Sequence, residues 1–120
     1  MLPMKLQEVK DILNAKVFTE DACLENEVNS ACGCDLMSDV LAFVKDKALL
    51  LTGLMNPQVV RTAEMMDIST IVFVRGKMPD DALIKLAESK DIVLMSTDYP
   101  LYVSCGKLYK NGLIGKGGMS

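Results

Sequence analysis

The chain has 120 residues, a length that fits one domain with a core of its own. Half of the residues are hydrophobic, 24% are charged and the net charge is −3, as in soluble globular proteins. No basic run is present, which argues against nucleic acid as the main partner. The longest apolar runs are too short to cross a bilayer, and the N-terminus lacks the apolar core of a signal peptide. We therefore predict a cytoplasmic protein with no membrane partner, in which thiols are the default state of cysteine.

The first 47 residues predict a helix, two strands and a second helix. The first helix is predicted from one apolar face: Leu6, Val9, Ile12 and Leu13. The strands are "AKVFT" and "EVNSAC", separated by an acidic loop. The second helix is predicted from apolar residues at i, i+3, i+4 and i+7: Met37, Val40, Leu41 and Val44. Asp35 or Ser38 is its expected N-cap.

A unit of strand and helix then occurs three times. Apolar runs begin at Ala48, Thr70 and Ile92, a spacing of 22 residues both times. The runs are continuous rather than alternating, which is typical of parallel strands covered on both faces. A proline follows each run, at Pro57, Pro79 and Pro100, and proline is accepted at the first position of a helix.

Each proline is followed by an amphipathic pattern that predicts a helix. Asn56 is the expected N-cap of the first of these helices, and Asp98 that of the third. Gly112 is expected to end the third helix. Gly106, inside the third helix, costs about 1 kcal/mol relative to alanine, so we expect a close packing partner there.

These elements predict a single α/β domain with a mainly parallel sheet. Residues 48–111 form its βαβαβα core, and the helix–strand–strand–helix segment completes it. Leucine-rich repeats also have periods near this one, but their asparagine and leucine signature is absent. We place the domain at residues 1–111 and expect the glycine-rich residues 112–120 to be a flexible tail.

Three segments resemble the DRTGG domain family: "CDLMSDVLAFV", "LLLTGLMNPQVVRTAEMMDISTIVFVRGK" and "DIVLMSTDYPLY". The likeness covers roughly residues 4 to 111, although the pentapeptide that names the family is absent. Members are small α/β domains that occur alone or inside pyrophosphatases with CBS domains, and they are similar to the N-terminal domain of HPr kinase/phosphorylase. The resemblance implies a non-catalytic regulatory or assembly domain that pairs with itself.

Polar loops follow the three strands of the core. Ligands of open α/β sheets bind beyond the carboxyl ends of the strands, and helix N-termini there favour anions. We therefore predict a small anionic, nucleotide-like ligand in the loops 52–56, 75–78 and 96–98, and no other cofactor. The candidate contacts are Thr52, Gly53, Asn56, Arg75, Gly76, Ser96 and Thr97. Neither G-x-x-x-x-G-K-[ST] nor G-x-G-x-x-G is present, and the alternative is that these are ordinary turn and cap residues.

Two cysteines suggest an alternative function in thiol chemistry. Cys32 and Cys34 are two positions apart, so on a strand they point the same way. Thiolates suit zinc, iron–sulfur clusters and redox responses. Because the chain has no histidine, a four-ligand site needs Cys23 and Cys105 to converge on the pair.

An enzyme is not expected. Histidine, the commonest general acid or base, is missing, and no spacing singles out Asp35, Asp39, Ser96 or Asp98.

The nine methionines either fill the core or form an adaptable surface for a partner protein, which Tyr102, Val103 and Tyr109 would extend. With the resemblance, this second interpretation predicts a homodimer.

Overall fold

The computed structural model describes residues 3–20, 22–36 and 48–114. Its strands are β1 (Met4–Lys5), β2 (Lys16–Val17), β3 (Glu27–Val28), β4 (Ser30–Gly33), β5 (Ala48–Thr52), β6 (Thr70–Phe73) and β7 (Val93–Ser96). Its helices are α1 (Leu6–Leu13), α2 (Pro57–Met65), α3 (Asp81–Ser89) and α4 (Leu101–Lys110). No helix in these ranges has the length and apolar character that crossing a membrane requires.

The main sheet has five strands in the order β2-β7-β6-β5-β4. β4, β5, β6 and β7 are parallel to one another, and among the described strands of this sheet only β2 is antiparallel, with Lys16 opposite Ser96. β1 and β3 form a separate antiparallel pair. The predicted α/β class, the mainly parallel sheet and the βαβαβα core are confirmed.

Two hydrophobic clusters cover the two faces of this sheet, because every residue of β5, β6 and β7 is buried. On one face Leu49, Leu51, Val72 and Met95 pack with residues of α1 and α4. On the other face Leu50, Ile71, Phe73 and Leu94 pack with residues of α2 and α3. Continuous apolar runs therefore have the physical origin that was predicted for them.

The starts of the helices fit the sequence only in part. The Asn56 side chain caps α2 by accepting a hydrogen bond from the Val59 N–H at 3.2 Å, and Pro57 is the first helical residue, as predicted. The expectation for α4 was wrong. Its N-cap is Pro100, no side chain caps it, and Asp98 lies two residues too early. Pro79 precedes the N-cap Asp80 of α3, so the three prolines hold three different positions.

The ends of the domain also differ from expectation. The segment "EVNSAC" is divided at Asn29: β3 pairs with β1, whereas β4 joins the main sheet. Leu113 is buried in the core, and the Ile114 carbonyl accepts a hydrogen bond from the Ala31 N–H at 3.0 Å. Packing thus continues past residue 111. Residues 115–120 of the predicted tail and the predicted helix over 37–44 lie outside the described residues.

The closely packed glycine is Gly33, not Gly106. A Cβ atom on Gly33 would lie 2.4 Å from Sγ of Cys105, whereas a Cβ on Gly106 would have no neighbour within 4 Å. Gly33 therefore allows α4 to pack against the end of β4, and the expectation of a close neighbour at Gly106 was wrong.

These two glycines give a matched pair of stability predictions. Gly33→Ala should lower the free energy of unfolding by about 1–3 kcal/mol, because the new methyl group overlaps Cys105. Gly106→Ala should raise it by up to about 1 kcal/mol, because alanine favours the helix and meets nothing. Urea denaturation followed by circular dichroism measures both. Equal effects of the two changes would contradict the packing described for Gly33.

Candidate functional site

The carboxyl ends of β4, β5, β6 and β7 lie along one edge of the sheet, because these strands are parallel. The three predicted loops meet there, together with the residues that follow β4. In the register of β4 and β5, Gly33 is opposite Leu51, and continuing it by two residues brings Asp35 beside Gly53. This edge is where the sequence predicts a ligand.

Asp35 binds the end of β5. Its Oδ1 accepts hydrogen bonds from the Gly53 N–H at 2.7 Å and from the Thr52 hydroxyl at 2.9 Å. The Thr52 hydroxyl in turn accepts from the Leu54 N–H at 3.1 Å. The donors predicted to hold an anion thus already hold one, the carboxylate of Asp35.

The surroundings of Asp35 stabilise its charged form. The hydrogen bond from Gly53 is the largest effect that lowers the pKa of Asp35, and the Thr52 hydroxyl, Arg75 and Lys77 lower it further, while desolvation opposes them. Asp35 therefore stays ionised at lower pH than an ordinary aspartate does. Sequence reasoning treated it as a helix cap or a residue for catalysis, although its place after a parallel strand could have put it at this edge.

Two cations complete this edge. Lys77 Nζ donates to the Gly53 carbonyl at 2.9 Å. A Cβ atom on Gly53 would lie 2.6 Å from Nη2 of Arg75, so the guanidinium lies against this glycine. Arg75 and Gly76 both have positive φ, at 60° and 71°, in the turn after β6. Glycine adopts a positive φ without steric cost, and the turn directs Arg75 towards the end of β5.

The remaining candidates make internal hydrogen bonds. Ser96 donates its hydroxyl to the Lys77 carbonyl at 2.5 Å, and Thr97, which is buried, donates to the Leu13 carbonyl at 2.7 Å. The Gly76 N–H binds the Thr97 carbonyl, and Asn56 caps α2. The structure brings Thr52, Gly53 and Arg75 together with Asp35 and Lys77. The other four candidates make hydrogen bonds within the fold: Asn56, Gly76, Ser96 and Thr97.

The cysteines of the alternative function do not converge in the described part of the chain. Cys32 and Cys34 pack on the α2 and α3 face of the sheet, whereas Cys105 packs on the opposite face. Cys23 is exposed in the loop before β3. Over residues 3–20, 22–36 and 48–114, no group of three acidic, cysteine or histidine side chains is placed to hold a metal ion.

A cavity in the described part of the chain lies away from this edge. It measures about 520 Å³ and opens at the amino end of β7, where Glu20, Cys23, Glu88 and Asp91 are among its lining residues. Its acidic lining does not suit an anion, and it lies at the opposite edge of the sheet from Gly53.

Exposed apolar side chains are concentrated on α4. Tyr102 is 89% exposed and Tyr109 54% exposed, seven residues later on the same side of the helix, with Val103 beside them. Of the methionines, Met95 is buried in the core, whereas Met65 and Met78 are exposed. Methionines thus lie both in the core and at the surface, their use as a partner surface stays a prediction, and Met37 lies outside the described residues.

No family model and no curated protein sequence matches this chain. Among solved structures, it is similar to the CBS and DRTGG domains of the regulatory region of Clostridium perfringens pyrophosphatase, in complex with the activator diadenosine tetraphosphate. The TM-score is 0.70 and the sequence identity 12%, over 97% of this chain and 52% of that chain. The chain has a DRTGG-like fold. The resemblance found in the sequence is therefore supported, and the DRTGG-like domain corresponds to about half of the chain it matches.

The Asp35 contacts predict a pH dependence of stability for this DRTGG-like domain. Because folding lowers the pKa of Asp35 below its ordinary 3.8, the carboxylate contributes stability above about pH 4 and loses it as the pH falls through the folded pKa. Asp35→Asn keeps an acceptor but no charge, and should cost about 1 kcal/mol at pH 7, since solvent screens this exposed carboxylate.

Urea denaturation between pH 7 and pH 2.5 measures the difference between the two proteins. We expect the difference to shrink towards zero below about pH 4, as Asp35 protonates in the parent protein. The control is Asp67→Asn, which makes the same change in charge in the turn after α2, at the opposite edge of the sheet. A difference for Asp35→Asn that persists unchanged at the lowest pH would contradict the assignment.

Proposed function

We propose that this protein is a non-enzymatic regulatory module that self-associates and binds a small anionic, nucleotide-like ligand at the carboxyl edge of its sheet. The observation that carries the proposal is the shared fold with a regulatory region that was solved with a nucleotide activator, diadenosine tetraphosphate. The similarity extends over 97% of this chain, so the comparison applies to the whole described domain rather than to one part of it.

The local geometry supports an anionic ligand at this edge. Arg75 and Lys77 are exposed cations on one turn, and both influence the pKa of Asp35 at the end of β5. Backbone N–H and hydroxyl donors lie between them, at Gly53 and Thr52. Guanidinium, ammonium and backbone amide groups are the usual partners of phosphate oxygens.

The same geometry argues for regulation rather than catalysis. The carboxylate of Asp35 accepts two hydrogen bonds and its pKa is lowered, which makes it a poor general acid at neutral pH. The Ser96 hydroxyl donates to a backbone carbonyl, so no base activates it as a nucleophile. The thiol alternative lacks a third ligand among the described residues.

Ligand binding can be tested with two probes, diadenosine tetraphosphate and inorganic tripolyphosphate, by isothermal titration calorimetry. Gly53→Val should abolish binding and leave a folded dimer, because the glycine has no positive φ and its new side chain displaces the flexible Arg75. Arg75→Ala should weaken binding about tenfold or more through loss of a charged contact.

The chain offers a matched control in Arg61→Ala, since Arg61 is its other arginine and is exposed on α2. This variant should bind like the parent protein. Equal binding by the Gly53→Val variant, or equal losses for both arginines, would overturn the site. If neither probe binds the parent protein, the proposal of an anionic ligand is itself overturned.

Self-association is proposed through the exposed face of α4. The double change Tyr102→Ser and Tyr109→Ser should shift a dimer to monomer, because it removes the large apolar contacts that dimers bury. Size-exclusion chromatography with light scattering measures the mass. Met65→Ser, at a 73% exposed methionine of α2, is the control and should remain dimeric. A monomeric parent protein would contradict the proposed self-association. The cytoplasmic location stays a prediction.

A further inference from the structure

Gly53 is buried although it lies in a loop at the surface of the domain. The exposed side chains of Asp35 and Arg75 lie against it, and Lys77 Nζ donates to its carbonyl at 2.9 Å. Because Asp35 and Arg75 are exposed, rotation about their own side-chain bonds can turn the charged groups towards solvent. The backbone donor that an anion would use is therefore occupied by the side chain of Asp35.

The Asp35 carboxylate has the chemistry of a ligand for the position it occupies. It bears a negative charge, receives the Gly53 N–H at 2.7 Å and the Thr52 hydroxyl at 2.9 Å, and lies in the field of Arg75 and Lys77. A phosphate oxygen would require the same two donors and the same two cations. Both anions cannot hold them together, because like charges at contact distance repel strongly.

We propose that Asp35 is a built-in competitor, whose carboxylate holds the anion position at Gly53 and must leave before a phosphate-bearing ligand can bind. This inference rests on the proposed ligand site and adds its regulation. Asp35 sets an affinity threshold, since an incoming anion has to gain more from the donors and cations than the carboxylate already gains.

Asp35→Asn tests the competitor separately from any structural role. The asparagine oxygen can still accept from Gly53 and Thr52, so the loop keeps its support, but the competing charge is gone. With tripolyphosphate as the probe, we expect roughly tenfold tighter binding than in the parent protein, the size of a moderate charge repulsion at short range. Asp67→Asn changes the net charge equally at the far edge and should leave the affinity unchanged.

The outcomes separate this inference from the proposed function. Tighter binding by Asp35→Asn alone supports the competitor. Equal binding by the parent protein and Asp35→Asn, lost in both with Gly53→Val, overturns the competitor and leaves the ligand site standing. No binding by either protein overturns both. Equal gains for Asp35→Asn and Asp67→Asn would show only a general effect of net charge and would overturn the competitor as well.

An amide spectrum gives a second readout that does not depend on affinity. The Gly53 N–H is bound to a carboxylate in the free protein. In a ¹⁵N–¹H correlation spectrum, its signal should shift on saturation with tripolyphosphate, and so should those of Asp35 and Leu36. A Gly53 signal that stays in place at saturation, with shifts confined to other loops, would overturn the exchange.

Discussion

Burial of the central strands on both faces is the constraint on which the rest of this structure depends. β5, β6 and β7 contribute side chains to hydrophobic clusters on both sides, so their polar groups are confined to the backbone ladder and the strand ends. Where the ladder stops, backbone groups need other partners. At Gly53 the N–H donates to the Asp35 carboxylate, and the carbonyl accepts from Lys77 Nζ. The chemistry of the edge is thus a consequence of the way the sheet ends.

Regular patterns made much of this fold predictable. The three apolar runs report burial directly, because a strand covered on both faces excludes polar side chains along its length. Asn56 was predictable as a cap because its partner, the Val59 N–H, is only three residues away. The division of "EVNSAC" was not predictable, since nothing in its composition marks Asn29 as the place where the chain exchanges one sheet for another.

Contacts between distant segments were beyond reach for a physical reason. Asp35 and Gly53 are 18 residues apart, and Gly33 meets Cys105 from another strand and helix, so no local periodicity reports either pair. The candidate site was accordingly predicted from its backbone elements alone. Thr52, Gly53 and Arg75 were expected at this edge and lie there together, whereas the Asp35 carboxylate beside them was not expected. Their role in binding a ligand stays a prediction.

The Asp35 contact also changes how a glycine turn beside cations should be interpreted. Such a turn offers an electropositive pocket of backbone donors, and leaving those donors unpaired costs free energy in any folded state without ligand. An internal carboxylate removes that cost, so the domain needs no ligand at this edge in order to be stable. Under the proposed function, the same carboxylate would select among anions. A single carboxylate from solution would gain nothing over Asp35, whereas a polyphosphate would reach Arg75 and Lys77 with further oxygens. Stability without a ligand and preference for polyvalent ligands would then come from one side chain.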